Sequence, residues 1–171
     1  MKSTKTAAAI TLLVVILAAL LGSCRSLNAE RDKALTVFEQ GEFGDGIGVK
    51  SDLERRAGVC ANLCTVAGRN GMNEEADQLA KLVARLREGE SQTDLLTPAY
   101  ALLDKLEKAE LDEKDKGYLS NFRAELDSTA DTIRRDLYTQ MALTFNDRTL
   151  TAFPAGLPSR LTGVKPLPIY T

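Results

Sequence analysis

Apolar positions fall into two regimes along this chain. Between Thr6 and Cys24 no residue carries a charge, and Ala7 to Leu21 is apolar almost throughout. After Ser26 the apolar residues recur at three- and four-residue intervals, the mark of helices that bury one face. Leu27, Ala34, Leu35, Val37 and Phe38 form the first such stripe, so a helix is expected to run on from the uncharged segment to Gln40. Gly41, Gly44, Gly46 and Gly48 then interrupt it. Each glycine costs a helix about 1 kcal/mol, and a flexible connector is predicted there.

From Ser51, a good N-cap, a second helix is predicted to about Arg69, with Leu53, Ala57, Cys60, Leu63, Cys64 and Ala67 on its core face. Asn70-Gly71 closes it. Asn73, followed by Glu74 and Glu75, opens a third helix carrying Leu79, Leu82, Val83 and Leu86, which Gly89 stops. Thr97-Pro98 reads as cap and first position of a shorter helix with Leu102, Leu103 and Leu106. The charged run Glu110 to Lys116 reads as a solvated turn. The longest helix is predicted from Gly117 to Ala152, where Leu119, Phe122, Leu126, Ile133, Leu137 and Met141 keep near-heptad spacing. Phe153-Pro154 ends it, and Pro154, Pro158, Pro166 and Pro168 keep the remaining residues extended.

These elements predict an all-α fold: an N-terminal hydrophobic signal or anchor helix, then an elongated antiparallel bundle of three to four long helices. The chain divides into a signal peptide or membrane anchor over 1–24, the bundle over 25–153 and an extended proline-rich tail over 154–171.

Lys2 and Lys5 precede the apolar run and Arg25 follows it, the layout of an export signal. Two fates remain open. The nineteen uncharged residues from Thr6 to Cys24 reach about 28 Å as a helix, enough to cross a bilayer core of about 30 Å. The small pair Gly22-Ser23 equally admits a peptidase, and Leu21-Gly22-Ser23-Cys24 resembles the lipobox of bacterial lipoproteins, which makes Cys24 a lipidation candidate. Either fate anchors the chain to a membrane with its body outside the cytoplasm, in a bacterial cell envelope.

Composition narrows the function. The formal net charge is −2, but +3 sits at each end, over Met1 to Arg25 and Arg148 to Thr171, so the body between them carries −8. An acidic body lacks the basic face that nucleic acid requires, and nucleic acid is excluded as a partner. There is no Trp and aromatic residues are 5 %, which favours helix over sheet. Of three cysteines, Cys60 and Cys64 lie four apart, where a helix makes a bridge strained, so they read as small buried residues.

Several motifs are recognisable. Leu53-Glu54-Arg55-Arg56-Ala57 is followed by Asn62-Leu63, then by Leu126, Thr129, Ile133, Arg134-Arg135, Tyr138, Phe145-Asn146, Phe153-Pro154 and Gly163-Val164-Lys165-Pro166. In order and spacing these resemble the LemA family of bacterial membrane-anchored proteins, most closely over Leu119 to Tyr170. The resemblance implies an N-terminal membrane segment and an antiparallel helical bundle, and it implies no established enzymatic activity.

No histidine occurs, which removes His-based triads and the usual zinc and di-iron motifs. Glu107, Glu110, Asp112, Glu113 and Asp115 lie among lysines on what reads as a solvated face, without a cleft to shift their pKa. No catalytic, cofactor-binding or metal-ligating residue is assigned, and the chain reads as non-enzymatic. A binding surface is the alternative chemistry. Arg55, Arg56, Arg134 and Arg135, with Tyr138, are its candidates, because guanidinium groups grip carboxylate or phosphate bidentately. Against this, each arginine finds acids within its own bundle, such as Glu54 or Asp131, and Tyr138 and Phe145 suit a core. The expected partners are the membrane and another envelope protein, with a small anionic ligand of the arginine pairs as the alternative.

Overall fold

The computed structural model describes residues 2–88, 90, 93–151, 159–161 and 163–170. Among them the chain is all-helical, without strands. Six α-helices follow one another: α1 (Lys2–Gln40), α2 (Val49–Arg69), α3 (Asn73–Arg87), α4 (Leu96–Leu106), α5 (Glu113–Arg135) and α6 (Leu137–Thr144). A π-helical segment, Phe145–Thr151, continues from α6. Gly89, Ala152, Phe153, Pro154 and Pro158, expected as helix ends and tail, lie outside the described residues.

The helix expected to run on from the apolar segment does so without a break. At 39 residues α1 is about 58 Å long, and Ile10 to Leu17 of its apolar half stand exposed. Its far half packs Leu27 and Ala34 into a core.

The glycine connector is more ordered than its composition predicts. Gly41 takes a positive φ of 75° and ends α1, while Gly46 N–H donates to Gln40 O at 2.9 Å and Asp45 Oδ1 accepts from Ile47 N–H at 2.9 Å. Gly48 lies so close to α1 that a Cβ there would stand 2.5 Å from Phe38 O and 2.7 Å from Val37 O. The loop is folded back on the helix it leaves, and only glycine permits that approach.

Helix starts differ in detail from the sequence reading. α2 begins at Val49, ahead of Ser51, whose hydroxyl donates to Gly48 O at 2.8 Å instead of capping. Asp94, not Thr97, receives the first free N–H groups of α4, from Leu96 at 3.0 Å and Thr97 at 3.2 Å.

The largest difference lies in the helix expected from Gly117 to Ala152. It starts earlier, at Glu113, and it is broken at Asp136, whose φ of −59° and ψ of 145° are extended. The reason is a side-chain cap. Asp136 Oδ1 accepts from Tyr138 N–H at 2.7 Å, and Ile133 O accepts from both the Thr139 hydroxyl at 2.7 Å and Asp136 N–H at 3.4 Å. The break turns α6 onto α1, which it contacts along its length.

Two cores result. The first is built by α2, α3, α4 and α5 around Leu63, Leu79, Leu102, Leu103, Leu106 and Leu126. The second gathers Leu27 and Ala34 of α1, Val49 and Leu53 of α2, Ile133 of α5, Tyr138 of α6, Phe145, and Leu167 and Tyr170 of the tail. Helices α2 and α5 serve both and run in opposite directions, since Arg55 faces Glu125 and Ser128 while Arg69 faces Asp115.

Candidate functional site

The arginine pairs are the starting point. Arg55 and Arg56 are adjacent in sequence but end in different surroundings, because α2 turns by about 100° between them. Arg55 is half-exposed; it lies 3.8 Å from Asp52, 4.0 Å from Glu125 and 3.4 Å from the Ser128 hydroxyl. Arg56 is only 4 % exposed, and its Nε donates to Thr129 Oγ1 at 3.5 Å. Burial lowers the Arg56 pKa, while Cys60, Tyr100, Asp94 and Asp52 around it act in the opposite sense. A guanidinium so enclosed holds helices together and presents no surface to a ligand.

Arg56 and Thr129 lie between the two cores: Arg56 is one turn from Leu53 and next to Ala57 on α2, and Thr129 is about one turn from Leu126 and Ile133 on α5. Asp52, 5 % exposed, belongs to the same polar layer. Burial raises its carboxyl pKa first, Asp136 adds to the rise, and Arg55 and Arg56 oppose it. The layer is internal and compensated.

Arg134 and Arg135 are exposed on the last turn of α5, where both reach Asp131, Arg134 at 2.5 Å to Oδ1 and Arg135 to Oδ2. The pairing with Asp131 expected from the sequence is present, while Arg55 faces Asp52, Glu125 and Ser128. Surface ion pairs of this kind contribute at most about 1 kcal/mol.

Tyr138, weighed both as a core residue and as a partner-binding candidate, lies in the core. It is fully buried, its hydroxyl donates to Pro168 O at 2.7 Å, and its ring meets Phe38 at 5.1 Å and Tyr170 at 6.0 Å. Burial, with Tyr170 beside it, pushes its phenol upward. Phe38 and Tyr170 also stack, 5.4 Å apart with rings 19° from parallel. Asn146, on the π-helical segment, grips the tail backbone twice: Nδ2 donates to Leu167 O at 2.8 Å and Oδ1 accepts from Leu167 N–H at 2.9 Å. The tail over Val164 to Tyr170 has no regular secondary structure and is fastened to α1, α6 and the π segment.

Asp115 was missed. Within the run read as solvated it is 6 % exposed, accepting from Arg69 Nη2 at 2.6 Å and Asn70 Nδ2 at 2.9 Å, while its own N–H donates to the Asp112 carboxylate at 2.6 Å. The signal was available in Asp112-x-x-Asp115, an N-cap followed by an acid in the first turn. The other acids of the run stay at the surface, with Glu107 on Arg123 at 3.0 Å and Glu113 on Lys116 at 2.9 Å. Among the described residues no three His, Cys, Asp or Glu side chains converge on a point that could hold a metal ion.

Of the cysteines, Cys60 is fully buried and Cys64 half-buried, and neither is bridged. Burial pushes the Cys60 thiol up to about 12 and raises Cys64 as well. Cys24 is half-buried within α1 and accepts from Asn28 Nδ2 at 3.5 Å. Among the described residues one helix is long and apolar enough to cross a membrane, over Thr6–Gln40, and none of its most apolar window is covered by the other described residues. Comparison of the chain with family models, with curated proteins and with solved structures returns no match.

Proposed function

We propose that this chain is a membrane-anchored, non-enzymatic helical scaffold or adaptor of a bacterial cell envelope, its body outside the cytoplasm and read as an elongated antiparallel bundle. The observation that carries this reading is α1. Its apolar half is exposed, while its other half, in the same unbroken helix, supplies Leu27 and Ala34 to a core. A stretch of mean hydropathy 2.6 with nothing folded over it suits lipid, and an unbroken helix couples that lipid to the body. The resemblance to the LemA family, in the Arg134-Arg135, Tyr138 and Phe145-Asn146 positions, supports the same role. Cys24 sits where the helix would leave the bilayer, so lipidation and a retained span both fit the reading.

The partner surface is assigned to the exposed faces of the helical body, around Arg134 and Arg135, instead of the fastened tail. A small anion is the weaker reading, because Arg56 is enclosed and Arg134 and Arg135 already share Asp131. The test is a photo-crosslinking residue in place of Arg135 in the full chain, expressed in a bacterial host. The expected result is a chain in the membrane fraction, resistant to carbonate extraction, with a discrete adduct to a second envelope protein. A carbonate-soluble chain would overturn the anchor, and a membrane-bound chain giving lipid adducts alone would overturn the adaptor. The mass of the N-terminal peptide separates lipidated Cys24 from an intact span.

A further inference from the structure

Two runs of chain descend along α1 from a common level. Phe38, near the end of α1, meets Tyr138 at 5.1 Å and Tyr170 at 5.4 Å. From Tyr138 the chain turns back along α1: Gln140, Met141 and Phe145 line one cleft with Ala34, Lys33 and Glu30, and the π segment also packs on α1. At about 1.5 Å per helical residue Leu150 comes level with Leu27, and it packs on the core that Leu27 joins. The tail descends beside it. Below Tyr170, Leu167 is held by Asn146, Gly163 N–H donates to Ser159 O at 3.0 Å, and Ser159 Oγ donates to Leu150 O at 3.0 Å. Residues 159–161 therefore lie at the Leu27 end of the body, where Arg160 and Leu161 are exposed, Leu161 at 72 %.

We infer that this end of the body rests in the headgroup layer of the bilayer that holds α1, with Leu161 reaching toward the acyl chains and Arg25 and Arg160 on lipid phosphates. Height decides the occupant. Thr6 to Cys24 matches the hydrocarbon core, and Leu27 stands only about 4.5 Å beyond Cys24, within a headgroup layer of about 6 Å. A gap that narrow excludes a folded partner, since a single helix with its side chains is about 10 Å across. Charge is layered to match. Arg25 is the one charged residue from Cys24 to Ala29, and no acid follows Asp147. The nearest acids in sequence, Glu30 on α1 and Asp147 on the π segment, are exposed and stand about one turn higher than Leu27 and Leu150. Guanidinium forks fit phosphate, and two of them beside an immersed leucine make a second foothold. It fixes the rotation and tilt of α1, which a lone helix leaves free.

The inference rests on the anchored α1 proposed above, and the two fail differently. The chain has no Trp, so a single introduced one reports its own site. Full-length Leu161→Trp and Phe43→Trp, both at exposed positions, are reconstituted into phosphatidylcholine–phosphatidylglycerol vesicles, with and without lipids brominated at the headgroup end of their acyl chains. Leu161→Trp should emit to the blue of an indole in water and lose emission about twofold to the brominated lipids. Phe43→Trp lies past Gln40, which is about 24 Å beyond Cys24, and should keep the emission of an indole in water without quenching. Arg160→Glu added to Leu161→Trp should lower the quenching, and unchanged quenching would remove Arg160 from the contact. In a chain that floats with the vesicles, an unquenched Trp at 161, or equal quenching at 43 and 161, would overturn the inference alone. A chain that does not float would overturn the anchor and the inference together.

Discussion

Replacing Asn146 by Ala isolates the fastening of the tail from the stability of the rest. The amide makes two hydrogen bonds to one residue, donating to Leu167 O at 2.8 Å and accepting from Leu167 N–H at 2.9 Å. Each contributes about 1 kcal/mol net, so Asn146→Ala weakens docking by about 2 kcal/mol, a roughly 30-fold fall in the ratio of docked to released tail. Leu167 and Tyr170 remain able to bury their side chains, and the α2–α5 core is untouched. Hydrogen exchange read by mass spectrometry on the full chain is the assay. The peptide covering residues 163–170 should exchange about 30-fold faster in the variant, while α3 and α4 keep their protection. Tyr138→Phe removes one bond, to Pro168 O, and should accelerate the same peptide about fivefold. Wild-type exchange at the rate of an unstructured peptide, or equal exchange in wild type and Asn146→Ala, would refute the fastening.

Three further outcomes follow from the geometry. Cys60, with its thiol pushed up to about 12 by burial, has about 10⁻⁴ of its population as thiolate at pH 8 and should resist iodoacetamide until the protein is unfolded; stoichiometric native labelling would contradict its burial. Asp52 holds its proton to a higher pH in the native state than in the unfolded chain, so stability falls as pH rises from about 4 through the raised native value. Asp52→Asn should flatten that limb in urea denaturation curves between pH 3 and 7, and an unaltered limb would remove Asp52 as its source. Gly48→Ala forces a Cβ to within 2.7 Å of two α1 carbonyl oxygens and should cost about 3 kcal/mol by thermal unfolding. Gly44→Ala, with φ 69° but open space around it, should cost about 1 kcal/mol, and equal losses would mean that the close approach is not the cause.

Where local periodicity decides structure, the sequence was readable. Leu63, Leu79, Leu102 and Leu126 were assigned to buried stripes and are buried, because an apolar face at helical spacing has one way to leave water. The burial of Arg56 was legible but not read, since Arg56 was grouped with Arg55 as a binding candidate: Leu53, Arg56, Ala57 and Cys60 stand at the i, i+3, i+4, i+7 positions of the core face, whereas Arg55 does not. The break at Asp136 was hidden, since no proline or glycine marks it and its cause is a cap completed by Thr139. The partners of Asp115 and Tyr138 are hidden for another reason. Arg69 lies 46 residues from Asp115 and Pro168 lies 30 from Tyr138, and no local pattern encodes such meetings.

The division into two cores has a mechanical consequence. A pull or tilt entering through the exposed apolar end of α1 is delivered to α6, the π segment and the Phe38–Tyr138–Tyr170 rings, all of which belong to one core. It can travel to α3 and α4 chiefly through α2 and α5, across the polar layer of Arg56 and Thr129. Polar contacts of that kind yield at smaller displacements than interlocked leucines. The half built on α1 can therefore give way under load and close again while the distal half keeps its shape, as a joint does between a tether and a rigid head.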